Sequence, residues 1–83
     1  MFENQSIGFI GGGNMGEALI RGLLSAGLFP AESITVFDVS ATRMDYLARE
    51  YGVSVSRNVA ELAASSGILL LAVKPQTISS VLN

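Results

Sequence analysis

The segment Ser6-Ile7-Gly8-Phe9-Ile10-Gly11-Gly12-Gly13-Asn14-Met15-Gly16 constrains this chain more than any other. An apolar run stops at three consecutive glycines, and a helical pattern starts at once. Gly11, Gly13 and Gly16 satisfy the spacing G-x-G-x-x-G. Glycine-rich turns are common, so the spacing alone says little. A strand before it, a helix after it and an acidic residue farther on give it weight. Gly11 lets the backbone turn sharply out of the strand, Gly13 lets a pyrophosphate approach the main chain, and Gly16 lets the helix pack close to the strand. The first helical turn offers unpaired N–H groups and the positive end of the helix dipole, which favour a phosphate. The plainer reading is a tight turn with no ligand.

The rest of the chain alternates strand and helix. Residues 7–10 read as a short buried strand. Residues 14–26 read as a helix with Met15, Ala18, Leu19, Gly22, Leu23 and Ala26 at spacings of three and four, so this stripe, Gly22 included, is expected to face the sheet. Gly27 stops the helix and Pro30 blocks its continuation. Residues 33–37 form the second strand, β-branched at Ile34, Thr35 and Val36. Ser40 or Thr42 caps the next helix, which carries Met44, Leu47, Ala48 and Tyr51 on one face and ends at Gly52. Residues 53–55 make a third strand. Asn58 with Glu61 forms a capping box for a helix burying Val59, Leu62 and Ala63 and stopped by Gly67. Residues 68–73 show no polar alternation, the pattern of a central parallel strand covered on both faces. Lys74-Pro75 breaks it, and residues 76–82 read as the first turns of another helix.

Four strand–helix units joined by right-handed crossovers give an α/β fold. The expected architecture is a Rossmann-type, doubly wound parallel sheet in the order 3-2-1-4. The crevice between the carboxyl ends of the first and fourth strands is where ligands bind in such sheets, and the glycine turn and Val73-Lys74-Pro75 both end there. The full arrangement usually has six strands, so residues 1–83 are expected to be an incomplete nucleotide-binding domain, a fragment of a longer protein. Composition agrees: 49% hydrophobic against 14% charged residues is apolar for a body with so much surface, as if something else covers part of it.

Several function classes are set aside. A net charge of −2 with five basic residues supplies no basic patch for nucleic acid. With no cysteine and no histidine, disulfides, Cys or His metal sites and Ser-His or Cys-His catalysis are excluded within the stretch. Residues 1–5 lack a positive leader, and the longest apolar run, residues 68–73, is far too short to cross a membrane. A cytoplasmic protein is expected.

Asp38 stands at the carboxyl end of the second strand, roughly 20 residues past the glycines, where a carboxylate accepts hydrogen bonds from an adenosine ribose diol. It would repel a 2′-phosphate and so leans toward NADH. Ser40, Thr42 and Arg43 lie in the loop just beyond and pull the other way. Arg43 has the geometry to pair with a phosphate or stack on adenine, or it is simply an exposed helix residue. Asp38 has its own bland alternative as a cap or turn residue. Asn58 reads first as a cap. Lys74 has the length to reach a phosphate or carboxylate, although its main chain lining the crevice is the better reading. Glu17, Asp45 and Glu50 read as solvated helix faces, and Asn14 and Met15 offer backbone N–H groups.

With the glycine loop and fourth strand both identified, the chain resembles the pyrroline-5-carboxylate reductases. The matching segments are residues 7–18, Ile-Gly-Phe-Ile-Gly-Gly-Gly-Asn-Met-Gly-Glu-Ala, and residues 71–76, Leu-Ala-Val-Lys-Pro-Gln. The resemblance covers essentially all of the chain as the amino-terminal part of such an enzyme. It implies reduction of the C=N bond of 1-pyrroline-5-carboxylate to L-proline with NAD(P)H, the last step of proline synthesis. It implies that Ile10, Gly11, Gly12, Gly13, Asn14, Met15 and Gly16 hold the pyrophosphate. Ala72, Val73, Lys74 and Pro75 would lie along the nicotinamide half, and Asp38 and, less securely, Asn58 at the adenosine ribose. Substrate-binding groups, and the contacts that build homo-oligomers, would belong to a following helical domain. No catalytic acid or base is expected here, because the cofactor carries the hard step and the protein supplies placement. Asp38 departs from the family pattern: many members carry a small or neutral residue there and prefer NADPH. Related β-hydroxyacid dehydrogenases or imine reductases, and a non-catalytic NAD(P)-sensing domain, are the alternatives.

Overall fold

The structure, a computed structural model, describes residues 5–72. Four parallel strands, β1 (Ile7–Ile10), β2 (Ile34–Phe37), β3 (Ser54–Val55) and β4 (Ile68–Leu71), form one sheet in the order β3-β2-β1-β4. They alternate with helices α1 (Asn14–Ala26), α2 (Ala41–Tyr51) and α3 (Val59–Ser65). This is the strand order that the sequence predicts. Ser33 closes a 3-10 turn, Ala31–Ser33, rather than starting β2, and β3 is shorter by Val53. The fourth strand, expected over residues 68–73, ends at Leu71, before Ala72; Val73 and the expected helix over residues 76–82 lie outside the described residues.

Strand residues point alternately to the two faces. Ile7, Phe9, Ile34 and Val36 share one face and form the main core with Ile20 of α1, Leu47 of α2, Phe29 and Val53. The opposite face carries Gly8 and Ile10 with their register partners Thr35, Phe37, Leu69 and Leu71. Helix α3 covers this face at β1: a Cβ on Gly8 would stand 2.9 Å from Leu62 Cδ1 and 2.3 Å from Ser66 Oγ. Asn58 caps α3, its Oδ1 accepting the Glu61 N–H at 2.8 Å. Ser40 caps α2 by accepting the Arg43 N–H.

Of the three residues expected inside α3, only Leu62 is buried; Val59 is half-buried and Ala63 exposed. Two larger expectations are overturned. Of the expected inward stripe of α1, Met15, Ala18, Leu19, Gly22, Leu23 and Ala26, only Leu23 turns toward the core. Gly16 and Ile20 are the helix's buried residues, with Leu23 and Leu24 partly buried. Met15 is 66% exposed and Leu19 41%, and a Cβ on Gly22 would meet nothing within 4 Å. The cause is Gly16: the helix approaches the turn so closely that this residue must face the sheet, and rotation of about 100° per residue then brings Ile20, Leu23 and Leu24 inward. The second correction concerns β4, which is apolar throughout but lies at the edge of the described sheet. Leu69 and Leu71 are 40% and 52% exposed, because α3, seven residues long, reaches β1 and β2.

Candidate coenzyme-binding site

The glycine segment forms the turn between β1 and α1. Gly11 has φ +105°, a backbone conformation that side chains disfavour, and its N–H donates to the Phe37 carbonyl at 2.8 Å. The chain therefore leaves β1 while still tied to β2. A Cβ on Gly16 would stand 2.4 Å from the Gly11 carbonyl oxygen, so α1 begins directly against the turn. At Gly13, the residue before the helix, a Cβ would meet nothing within 4 Å. No side chain caps α1 there. The result is an exposed helix N-terminus, with backbone donors and positive dipole facing open space, that suits an anion in both shape and charge.

Asp38 follows β2 and reaches back to the turn. Its Oδ2 accepts the Gly12 N–H at 2.7 Å and its Oδ1 accepts the Ser40 N–H at 2.8 Å. A carboxylate has about four acceptor positions, so these two bonds orient Asp38 and leave it capacity for ribose hydroxyls. Ala72 sits on the other side of the turn. Its N–H donates to the Ile10 carbonyl at 2.8 Å, and its Cβ would lie 3.7 Å from one on Gly16. The ends of β1, β2 and β4 thus converge on residues 10–16. Asn58 is exposed and engaged with Glu61 as a cap. Val73, Lys74 and Pro75 lie outside the described residues.

The charged residues depart from the sequence reading. Arg43 is neither an exposed helix residue nor a free cation. Its Nε donates to the Gly12 carbonyl, its Nη2 to Glu17 Oε1 at 2.6 Å, and its guanidinium carbon lies 5.0 Å from the centre of the Tyr46 ring. Glu17 is not a solvated helix face: its Oε2 accepts the hydroxyls of Tyr46, at 2.8 Å, and Tyr51. The Tyr51 and Tyr46 hydrogen bonds hold the Glu17 carboxyl below its ordinary value; burial opposes them less strongly, and Arg43 adds a smaller lowering of its own. In return the Glu17 bond and burial push Tyr46 up to about 12 and raise Tyr51. Sequence reasoning missed Glu17 because its partners stand 26, 29 and 34 residues away. The one available signal was Arg43 and Tyr46, three apart and therefore on one face of α2.

A parallel sheet whose first strand ends in a glycine turn at an uncapped helix, with a carboxylate closing the second strand, defines a dinucleotide-binding module of the doubly wound class. The chain belongs to the family described as NADP oxidoreductase, coenzyme F420-dependent, whose model matches residues 6–83. It is 48% identical over 81 residues to a pyrroline-5-carboxylate reductase of Methanosarcina acetivorans, a match covering 98% of this chain and 30% of that protein. Among solved structures it resembles a pyrroline-5-carboxylate reductase from Coxiella burnetii, with TM-score 0.83 and 32% identity over 93% of this chain and 28% of that one. A Plasmodium falciparum pyrroline carboxylate reductase with NADP bound gives TM-score 0.81 and 30% identity, covering 99% of this chain and 29% of that one. The chain therefore spans less than a third of the length of these relatives.

Proposed function

We propose that this chain is the coenzyme-binding part of an enzyme that reduces the C=N bond of 1-pyrroline-5-carboxylate to L-proline, the closing step of proline synthesis. The observation that carries the reading is the open, uncapped start of α1 beside Gly13, one residue from the Asp38–Gly12 bond. In this reading the N–H groups of Gly13, Asn14 and Met15 hold the pyrophosphate against the turn of Ile10, Gly11, Gly12 and Gly16. Asp38, beside Ser40, receives the adenosine ribose. Ala72 and the following Val73, Lys74 and Pro75 line the nicotinamide half, and Asn58 contributes at the adenosine end while capping α3. When bound, the coenzyme supplies the hydride. What these residues do is place it, and placement is where most of the catalytic advantage of such a reaction lies. Substrate-binding groups, homo-oligomeric contacts and a cytoplasmic setting belong to the whole protein in this reading.

The family description and the Plasmodium relative both name NADP. Against that, in this reading the Asp38 carboxylate receives the ribose, and like charge there costs a 2′-phosphate about 1–2 kcal/mol after solvent screening, roughly tenfold in affinity. NADH is therefore the expected tighter ligand. Titrating NADH and NADPH into the protein and into Asp38→Ser tests this. Loss of the discrimination in the variant supports the reading, whereas a preference for NADPH unchanged by the substitution removes Asp38 from it.

A further inference from the structure

Gly12 is the centre of the glycine turn, and both of its peptide groups are held by side chains. Asp38 takes the N–H at 2.7 Å and Arg43 takes the carbonyl. The two holding residues belong to one short segment, in which Ser40 bonds both of them. Arg43 is in turn fixed by Glu17, and Glu17 by two tyrosines. The Glu17 and Arg43 side chains are only 14% and 27% exposed. We infer that Glu17 sets the choice of coenzyme from a distance: by neutralising Arg43 and anchoring it on the Gly12 carbonyl, it keeps this cation, three residues beyond Ser40 in the segment that follows Asp38, from pairing with a 2′-phosphate. This rests on the dinucleotide-binding reading proposed above.

The charge balance makes the point. A 2′-phosphate brings negative charge to the Asp38 side of the turn. An unengaged guanidinium one helical turn beyond Ser40 offsets it with a forked set of donors. Paired at 2.6 Å with Glu17, the same guanidinium carries almost no net charge as seen from the ribose, and two of its five donors are already committed. Asp38 then dominates the local field. Glu17 is a positioning residue here, touching neither ribose nor phosphate. Arg43 has a structural task of its own, holding the turn whose neighbour Gly13 faces the pyrophosphate, and that task serves both coenzymes equally.

The test is a titration of NADH and NADPH into the protein, Glu17→Gln, Glu17→Asp and Arg43→Met. Glu17→Gln is expected to raise NADPH affinity relative to NADH by about three- to tenfold, the effect of unmasking one partly screened charge. Glu17→Asp, which keeps the charge, is expected to retain the NADH preference. Arg43→Met is expected to weaken both coenzymes by a similar factor, and it remains informative if Glu17→Gln does not fold. A ratio unchanged in Glu17→Gln, or a loss confined to NADPH in Arg43→Met, overturns the inference and leaves the binding reading standing. A wild-type protein that binds neither coenzyme overturns both. Tyr46 and Tyr51 are the chain's only tyrosines, so tyrosinate absorbance reads the cluster directly. Tyr46 is expected to ionise near 12 in the wild type and closer to 10 in Glu17→Gln. Identical titration curves count against the network.

Discussion

The two faces of the sheet are built to different degrees. Under α1 and α2, Ile7, Phe9, Ile34 and Val36 are all nearly inaccessible, closed over by Ile20 and Leu47. On the opposite face Ile10 is also buried and Leu62 of a seven-residue helix lies over Gly8, but β4 presents Leu69 and Leu71 half open. The finished face is also the one whose helices supply Glu17, Arg43, Tyr46 and Tyr51. A glycine turn is floppy unless something holds it, and here the well-packed pair of helices holds it from one side through Arg43. The contrast is between a glycine turn held firmly by packed helices and a sheet that the described residues cover fully on one face only.

The contrast can be broken most severely through the strands. Phe9→Ala, at 0% exposure, is expected to cost about 3–5 kcal/mol. Leu71→Ala, on the other face and 52% exposed, should cost under about 1 kcal/mol. Urea unfolding of the two variants measures both, and equal costs would mean that the two faces are equally buried. The cluster that links the helices adds a pH dependence with a definite sign. Because Glu17 is held below its ordinary 4.5, its contribution is present above that value and is lost as pH falls through the lowered one. Because Tyr46 is raised from 10 to about 12, its contribution is present below pH 10 and lost as pH climbs past about 12. The smallest effect sharpens the picture of α1. Gly22→Ala fills open space on an exposed helix interior and should stabilise by about 0.5–1 kcal/mol. Destabilisation would restore the close helix–sheet contact that the periodicity suggested.

Much of this was legible in the sequence, because it follows from local chemistry. The ends of α1 at Asn14 and Ala26, the cap Asn58, the choice of Ser40 or Thr42 as the cap of α2 and the strand order 3-2-1-4 all come from periodicity, capping residues and crossover handedness, and the structure selects Ser40. The facing of α1 was not legible in the same way. Its apolar residues form two overlapping stripes that share Leu23, and periodicity cannot choose between Met15–Ala18–Leu19–Gly22–Leu23–Ala26 and Gly16–Ile20–Leu23–Leu24. The choice is made by the contact of Gly16 with the Gly11 carbonyl, which exists only in three dimensions. The exposure of β4 escaped for a related reason: an all-apolar strand reads as covered whatever lies beside it. In the candidate site, Asp38 was found by its distance from the glycines. Glu17 was not, because an acid on a helix looks solvated until tyrosines from another helix arrive.

The turn at residues 11–16, feeding the open start of α1, is proposed to receive a pyrophosphate. The direct measurement is a crystal structure of the protein with NADH. The account expects both phosphates against the N–H groups of Gly13, Asn14 and Met15, with the ribose on Asp38. Phosphates bound elsewhere, with the mouth of α1 in contact with solvent alone, would contradict it.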